Sequence, residues 1–370
     1  MRRALLCTLA ALQLLILAGP GGVRGNFREV EQLLVIQTLG LDGTEDGVEL
    51  SMAAKGDGAG PVRRLKAGGS SISAAMERIR SGLCEQELFC AHAGRLLLGE
   101  KAAEAGIDAA LGYLCRSPEM RLDMPLYILR EGRASQALLE VGDESRGICD
   151  VMDSVDRAVK LRGDCGCTDA ARVTRELERY GSALVCALRL RQASERGEEG
   201  SLLTVEPAGY AVLREGKLCR YLDESQALGA GLLRGESGVC EISVRDRAGR
   251  PAVLELEGGG CTIRAVWDEG ALTGLRIRVK ARASVLEQRG AGGEEDADAL
   301  TARLEERLAE SVSACLTASK ELKADFLGLQ SLVERSDPAA YARLDRPFPE
   351  LLPELTLEVT VSATLDHARD

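Results

Sequence analysis

Residues 85–130 constrain the fold more than any other stretch of this chain. They read as strand, crossover helix, strand. An apolar run at 95–99 supplies the first strand. Residues 101–115 then place Ala102, Ala103, Ile107, Leu111 and Leu114 on one side at helical spacing. Ser117-Pro118 stops that helix, because the residue before a proline avoids the helical region. The apolar run at 126–129 supplies the second strand. A helical connection of this length joins parallel strands with a right-handed crossing. No nucleophile motif, metal cluster or phosphate loop stands at either strand end, and this argues against chemistry as strongly as the pattern argues for a sheet.

Composition narrows the function classes. The chain has 370 residues, enough for two or three domains, and 45% of them are hydrophobic, enough for a substantial core. Aromatic residues are only 3%, with a single Trp, which disfavours single-stranded nucleic acid, since that needs stacking platforms. A net charge of −11 disfavours a reader of phosphate backbones. Arg2 and Arg3 followed by the uncharged, mostly apolar residues 4–18 make a targeting segment. That run is shorter than the roughly 20 residues of a spanning helix, so it predicts export rather than a membrane anchor. Residues 17–20 read Leu-Ala-Gly-Pro, whereas a bacterial lipoprotein signal reads Leu-Ala-Gly-Cys. Pro20 thus stands where a lipidated cysteine would be, and its side chain cannot be acylated.

An exported chain permits disulfides. There are 12 cysteines, one of them Cys7 in the targeting segment. Their spacing is scattered, and the tight pair Cys165-Gly-Cys167 cannot bridge to itself without strain. With His92 and His367 as the only histidines, no zinc pattern forms, and most cysteines are expected to act as small buried hydrophobes.

In chain order, residues 30–41 predict a strand, 42–47 a turn and 48–52 its hairpin partner. Residues 53–69 are glycine-rich and predict a loop. Their Gly pairs lack the Gly-Lys-Ser/Thr of a phosphate loop. Helices are predicted at 71–79, 134–141, 151–161 and 170–180, the last capped by Thr168 or Asp169. A strand follows at 182–190, and the charged, glycine-bearing residues 191–201 predict a domain linker. Beyond it come two short strands around a turn at 214–217, a helix at 224–233 capped by Asp223, and strands at 239–244, 252–256 and 261–266. A Gly258-Gly-Gly260 turn separates the last two. Residues 275–285 alternate apolar with basic, so Arg276, Arg278, Lys280 and Arg282 share one face of a strand, read as a solvated sheet face. A single long helix is predicted at 294–334, ended by Asp337-Pro338, and a final strand at 355–365. The expectation is an α+β fold of mixed β-sheets packed with helices. It has a targeting segment (1–25), a first domain (26–190), the linker (191–201) and a second domain (202–370), with room for three subdomains.

The candidate reactive residues do not converge. His92 reads as a packed structural histidine. Glu85 and Glu87 have no third group to complete an acid–base pair. Asp325 reads as a cap or surface residue. Ser70-Ser71 lacks a base motif, and no Gly-x-Ser-x-Gly elbow exists. No catalytic residue, cofactor site or metal site is assigned.

Several stretches, taken in order, resemble one family. The mature chain opens with a basic-acidic pair, Arg28-Glu29, and a branched strand ending Leu39-Gly40-Leu41-Asp42. Phe89-Cys-Ala-His92, Leu97-Leu-Gly-Glu100, Ala105-Gly106-Ile107 and Arg116-Ser-Pro-Glu119-Met-Arg121 follow. Later come the Gly209-Tyr-Ala-Val-Leu and Lys217-Leu-Cys-Arg-Tyr-Leu222 hairpin and Ala324-Asp325-Phe326-Leu327-Gly328. Their order and spacing resemble the C subunit of bacterial spore germinant receptors, the Ger(x)C family. The chain departs from the family at Pro20, since members are usually lipoproteins, and at Tyr341, near a place where the family often has Trp. The resemblance implies a non-enzymatic subunit at the outer face of the inner spore membrane. Its partners would be A-type and B-type membrane subunits, whose conformation it would bias through protein contacts. The alternative is an extracytoplasmic binding or envelope-associated protein that keeps the fold without the receptor role.

Overall fold

The computed structural model describes residues 33–54, 62–83, 86–142, 147–197, 200–236, 238–288 and 294–366. The targeting segment, Pro20, Glu85 and His367 lie outside them. The architecture is α+β, with two mixed sheets and helices between and around them.

The strand–helix–strand unit sits at the middle of the first sheet. Strands β1 (Leu33–Thr44), β5 (Arg95–Gly99), β6 (Leu126–Leu129) and β7 (Ser182–Gly197) run parallel and adjacent. On one side β1 turns into the antiparallel pair β2 (Gly47–Ala54) and β3 (Arg63–Gly69). On the other, β7 turns into β8 (Gly200–Arg214) and β9 (Lys217–Tyr221). A short strand, β4 (Glu87–Phe89), adds to β1 below β5 and completes nine strands. Every residue of β5 and β6 is buried, as a sheet covered on both faces requires.

One face carries α1 (Ile72–Ser81), α3 (Asp108–Arg116) and α6 (Ala170–Tyr180), which pack Met76, Ile79, Leu111, Leu114 and Val173 against it. The other carries α4 (Ala134–Glu140) and α5 (Ile148–Leu161), with Leu138, Met152 and Val155. Asp169 is the residue that caps α6, by accepting from the Arg172 amide.

The second sheet is simpler. Strands β10 (Cys240–Arg245), β11 (Pro251–Asp268) and β12 (Ala271–Gln288) form an antiparallel meander. Strand β13 (Thr356–Asp366) closes it parallel to β12. A parallel pair needs a crossover. It is made by α8 (Glu294–Leu322), α9 (Leu329–Ser336) and the short α10 (Pro338–Tyr341) and α11 (Phe348–Leu351). Together with α7 (Glu224–Arg234), these cover one face only, in a core built from Leu228, Leu254, Ile277, Leu308, Val312 and Phe326.

Five expectations are corrected. The linker at 191–201 is the outer part of the β7–β8 hairpin, paired as far as Gly197 with Gly200, so residues 200–221 belong to the first sheet. Its charged, glycine-bearing composition suits an exposed hairpin as well as a linker. The loop at 53–69 contains β3, whose Arg63 and Arg64 pair with Ala54 and Ala53. The helix at 101–115 is two helices, α2 (Glu100–Ala105) and α3, because Gly106 takes φ +125. The helix at 294–334 breaks after α8, where Lys323 takes φ +46. Gly258-Gly-Gly260 is no turn: β11 runs through it, with a register shift between Leu256 and Gly258. A Cβ at Gly259 would lie 2.5 Å from the Lys280 carbonyl oxygen, so the close approach of β12 demands glycine there.

Candidate functional site

Ligands of parallel sheets normally bind beyond the carboxyl ends of the strands. Here that edge has an open cleft of about 750 Å³, lined by residues including Asp42, Glu100, Lys101, Glu131 and Arg133. Asp42 at the end of β1 is buried, yet both its oxygens are engaged. Oδ1 accepts from the Ala134 amide and Oδ2 from the Ser135 amide, each at 2.8 Å. The carboxylate therefore holds the start of α4 at the floor of the cleft, with Arg133 4.0 Å from Oδ2. Gly99, at the end of β5, makes room for it: a Cβ there would lie 2.0 Å from Asp42 Oδ1. Two of the stretches singled out in the sequence, 39–42 and 97–100, thus meet in one structural constellation.

A second polar cluster lies at the opposite, amino end of the parallel strands. Arg95 opens β5, is buried, and reaches Asp153 at 2.6 Å and Asp156 at 2.9 Å on α5. Tyr127 donates to Asp156 at 2.6 Å, and its hydroxyl lies 4.0 Å from Cys167 Sγ. Burial raises the Tyr127 phenol and the Cys167 thiol above their ordinary values, so both stay protonated at neutral pH. Cys165 and Cys186 are buried beside them and are free thiols. A protonated thiol in an apolar setting is a weak nucleophile.

The third cluster joins the two sheets. Arg234, at the end of α7, has a side chain only 3% exposed and contacts Glu176 of α6 at 3.3 Å and Glu236 at 3.1 Å. Arg172 adds a 2.9 Å contact to Glu236, and Tyr210 of β8 donates to the same carboxylate at 3.0 Å. Burial pushes Glu236 upward, but Arg234 and Arg172 outweigh it and hold the carboxyl below its usual value. Arg234 also donates to the Phe326 carbonyl at 3.2 Å, which ties the network to the α8–α9 break. At that break Asp325 accepts from the Leu329 and Gln330 amides at 2.8 and 2.7 Å. Burial raises its carboxyl to about 7 against these amides. Gly328 supplies the left-handed residue, φ +73, that lets the chain enter α9. Asp325 is the cap expected from sequence, and it is buried rather than on the surface.

The other candidates stay apart. His92 stacks at a tilt on Phe89, ring centres 5.4 Å apart. Glu87 is an exposed residue of β4. Ser71 caps α1 by accepting from the Ala74 amide. Among the described residues, no group of three or more His, Cys, Asp or Glu side chains could hold a metal ion. Also among them, no helix is long and apolar enough to cross a membrane. The buried networks were missed from sequence because their members are far apart in the chain: Arg95 and Asp153 by 58 residues, Arg172 and Glu236 by 64, and Asp42 and Ala134 by 92.

Comparisons with known proteins agree with the geometry. The family described as "Spore germination protein N-terminal domain" matches residues 26–144. The family described as "Spore germination B3/ GerAC like, C-terminal" matches residues 208–368. The chain is similar in fold to a solved structure entitled "Crystal Structure of the GerBC protein", with 17% identity and a TM-score of 0.58. The match covers 88% of this chain and 96% of that one. No curated protein matches.

Proposed function

The chain belongs to the GerAC-like spore germination family as a non-catalytic accessory protein, and from that premise we propose that it is the C subunit of a nutrient germinant receptor. On this reading residues 1–25 direct export and are followed by two germination-protein domains. The protein works at the outer face of the inner spore membrane, against A-type and B-type membrane subunits. Its task is to bias their conformation by differential contact, since a partner shifts an equilibrium only through unequal affinity for its two states.

One observation carries the reading. Both family descriptions match in the expected order, on a chain whose buried carboxylates serve to hold helices and join sheets. A second reading is favoured by Pro20: an envelope protein that keeps the fold outside the receptor.

Deleting the gene tests the choice. The expected result is loss of nutrient-triggered germination, with spore formation intact and germination by non-nutrient triggers preserved. Unchanged nutrient response, in a strain without a second copy of this gene type, would sink the receptor reading.

A further inference from the structure

The two faces of the second sheet differ in kind. One is the core face. The other carries side chains that none of the described helices covers, and among them is a row of cations along β12. Arg276, Arg278, Lys280 and Arg282 alternate outward with the buried Ile277, Val279 and Ala281. At two residues per step along a strand the row is about 20 Å long. Arg264 on β11 stands beside Arg276 in register and extends it sideways. Like charges in this arrangement repel and destabilise a sheet. Within this row the fold offsets little of that repulsion. Among the described residues one carboxylate pairs with the row, Glu358 with Arg276 at 2.8 Å. The β13 neighbours of the other three are hydroxyls: Thr360 beside Arg278, Ser362 beside Lys280 and Thr364 beside Arg282. In a chain of net charge −11, such a row is not a by-product of composition.

The glycines of β11 shape the surface around it. Residues 258–260 lie across from Arg282, Ala281 and Lys280 and present no side chains. Two shallow pits result. One, about 340 Å³, is rimmed by Thr262, Arg264, Arg276, Arg278 and Lys280. The other, about 490 Å³, is rimmed by Lys280, Arg282, Ser362 and Thr364. Each combines cationic donors with hydroxyl donors, which is the chemistry that receives a phosphate oxygen. Past the glycines, the same face turns acidic, with Glu241 opposite Glu255. The unbroken row of cations is therefore limited to one half of the sheet, with Arg245 of β10 as a separate cation in the other half.

We propose that this basic half-face docks on the phosphate surface of an anionic lipid bilayer. The cations rise from a sheet surface that is broad in two directions, which suits a layer of headgroups better than the strip of contacts a duplex offers. Single-stranded nucleic acid is disfavoured, because the one Trp, Trp267, packs toward the core and leaves no stacking platform on this face. Juxtamembrane Lys and Arg clusters attract anionic leaflets by the same electrostatics. The inference takes from the receptor reading only that the chain meets a membrane, and its test does not involve germination.

The test is vesicle co-sedimentation of the purified chain. The vesicles are phosphatidylcholine alone, or phosphatidylcholine with one third phosphatidylglycerol, at low and at physiological salt. The expected result is binding to the anionic vesicles only, weakened by salt. The R278E/R282E variant should bind on the order of tenfold more weakly. The charge-matched variant R303E/R335E, altered on helices that cover the opposite face, should bind like wild type. All three share the N-terminal segment, so its contribution cancels. Should R278E/R282E fold poorly, R278Q/R282Q serves in its place with a smaller loss. Equal binding by wild type and face variants, or no binding to anionic vesicles, overturns the proposal. Competition by millimolar inorganic phosphate alone would reassign the pits to a free anion. Retention on polyglutamate or duplex DNA, without vesicle binding, would reassign the face to that polymer.

Discussion

The two sheets of this protein use their polar residues in opposite ways. In the nine-stranded sheet, helices cover both faces, and polar groups that enter are consumed inside. Asp42 holds α4, and Arg95 bridges to α5. In the four-stranded sheet, helices cover one face, and the other displays a row of cations for which the fold supplies little counter-charge. The difference follows from connectivity. Successive strand–helix–strand crossings can place helices on both sides of a parallel sheet. The meander β10–β12 has only tight connections, and the one crossover, through α8 and α9, can cover a single side. A protein built this way keeps its rigid scaffold and its contact surface in separate places.

That contrast can be broken most forcefully at the joint. Arg234→Met removes the more deeply buried of the two cations that Glu176 and Glu236 share and leaves both carboxylates to Arg172 alone. A loss of about 3–5 kcal/mol in urea unfolding is expected. Adding E176Q and E236Q should return part of it, because the excess negative charge left to Arg172 goes too. A loss below 1 kcal/mol for R234M would mean that the two sheets are joined by something other than this network.

A smaller effect sharpens the contrast within the second module. Asp325 titrates at about 7 in the folded chain and near 3.8 unfolded. Between these values the folded state holds the proton and the unfolded state does not, so stability falls as pH rises from about 4 to about 7 and is then level. The group contributes up to about 4 kcal/mol of this decline. The difference between wild type and D325N in urea unfolding, measured across pH 4 to 8, isolates it from Glu236, whose lowered carboxyl acts in the opposite sense in acid. A difference that does not change with pH would show that the amides of residues 328–330 keep Asp325 ionised.

The smallest expected effect lies on the open face. R278E/R282E should leave the unfolding midpoint nearly unchanged, within about 0.5 kcal/mol, or raise it by relieving repulsion. A large loss would mean that the row supports the sheet.

Sequence reading recovered what depends on near neighbours. The apolar runs at 95–99 and 126–129 are fully buried parallel strands, the caps Asp169 and Asp223 stand where turn chemistry puts them, and β12 alternates as written. It failed where periodicity continues across a break. Ile107 and Leu111 keep helical phase with Ala103 although Gly106 separates two helices, and Phe326 keeps phase with Leu322 although Lys323 ends α8. It also misread 191–201, because charge and glycine look alike in a linker and in an exposed hairpin.

What the amino-acid order decides alone is therefore local: which runs are apolar enough to be strands, where helices begin, and that cations alternate along β12. Only the tertiary structure decides that Asp42, Gly99 and Ala134 are one constellation, that Arg234 joins two sheets, and that the basic row is left uncovered by the described helices. Those outcomes depend on contacts between segments far apart in the chain, and no window of sequence contains both partners.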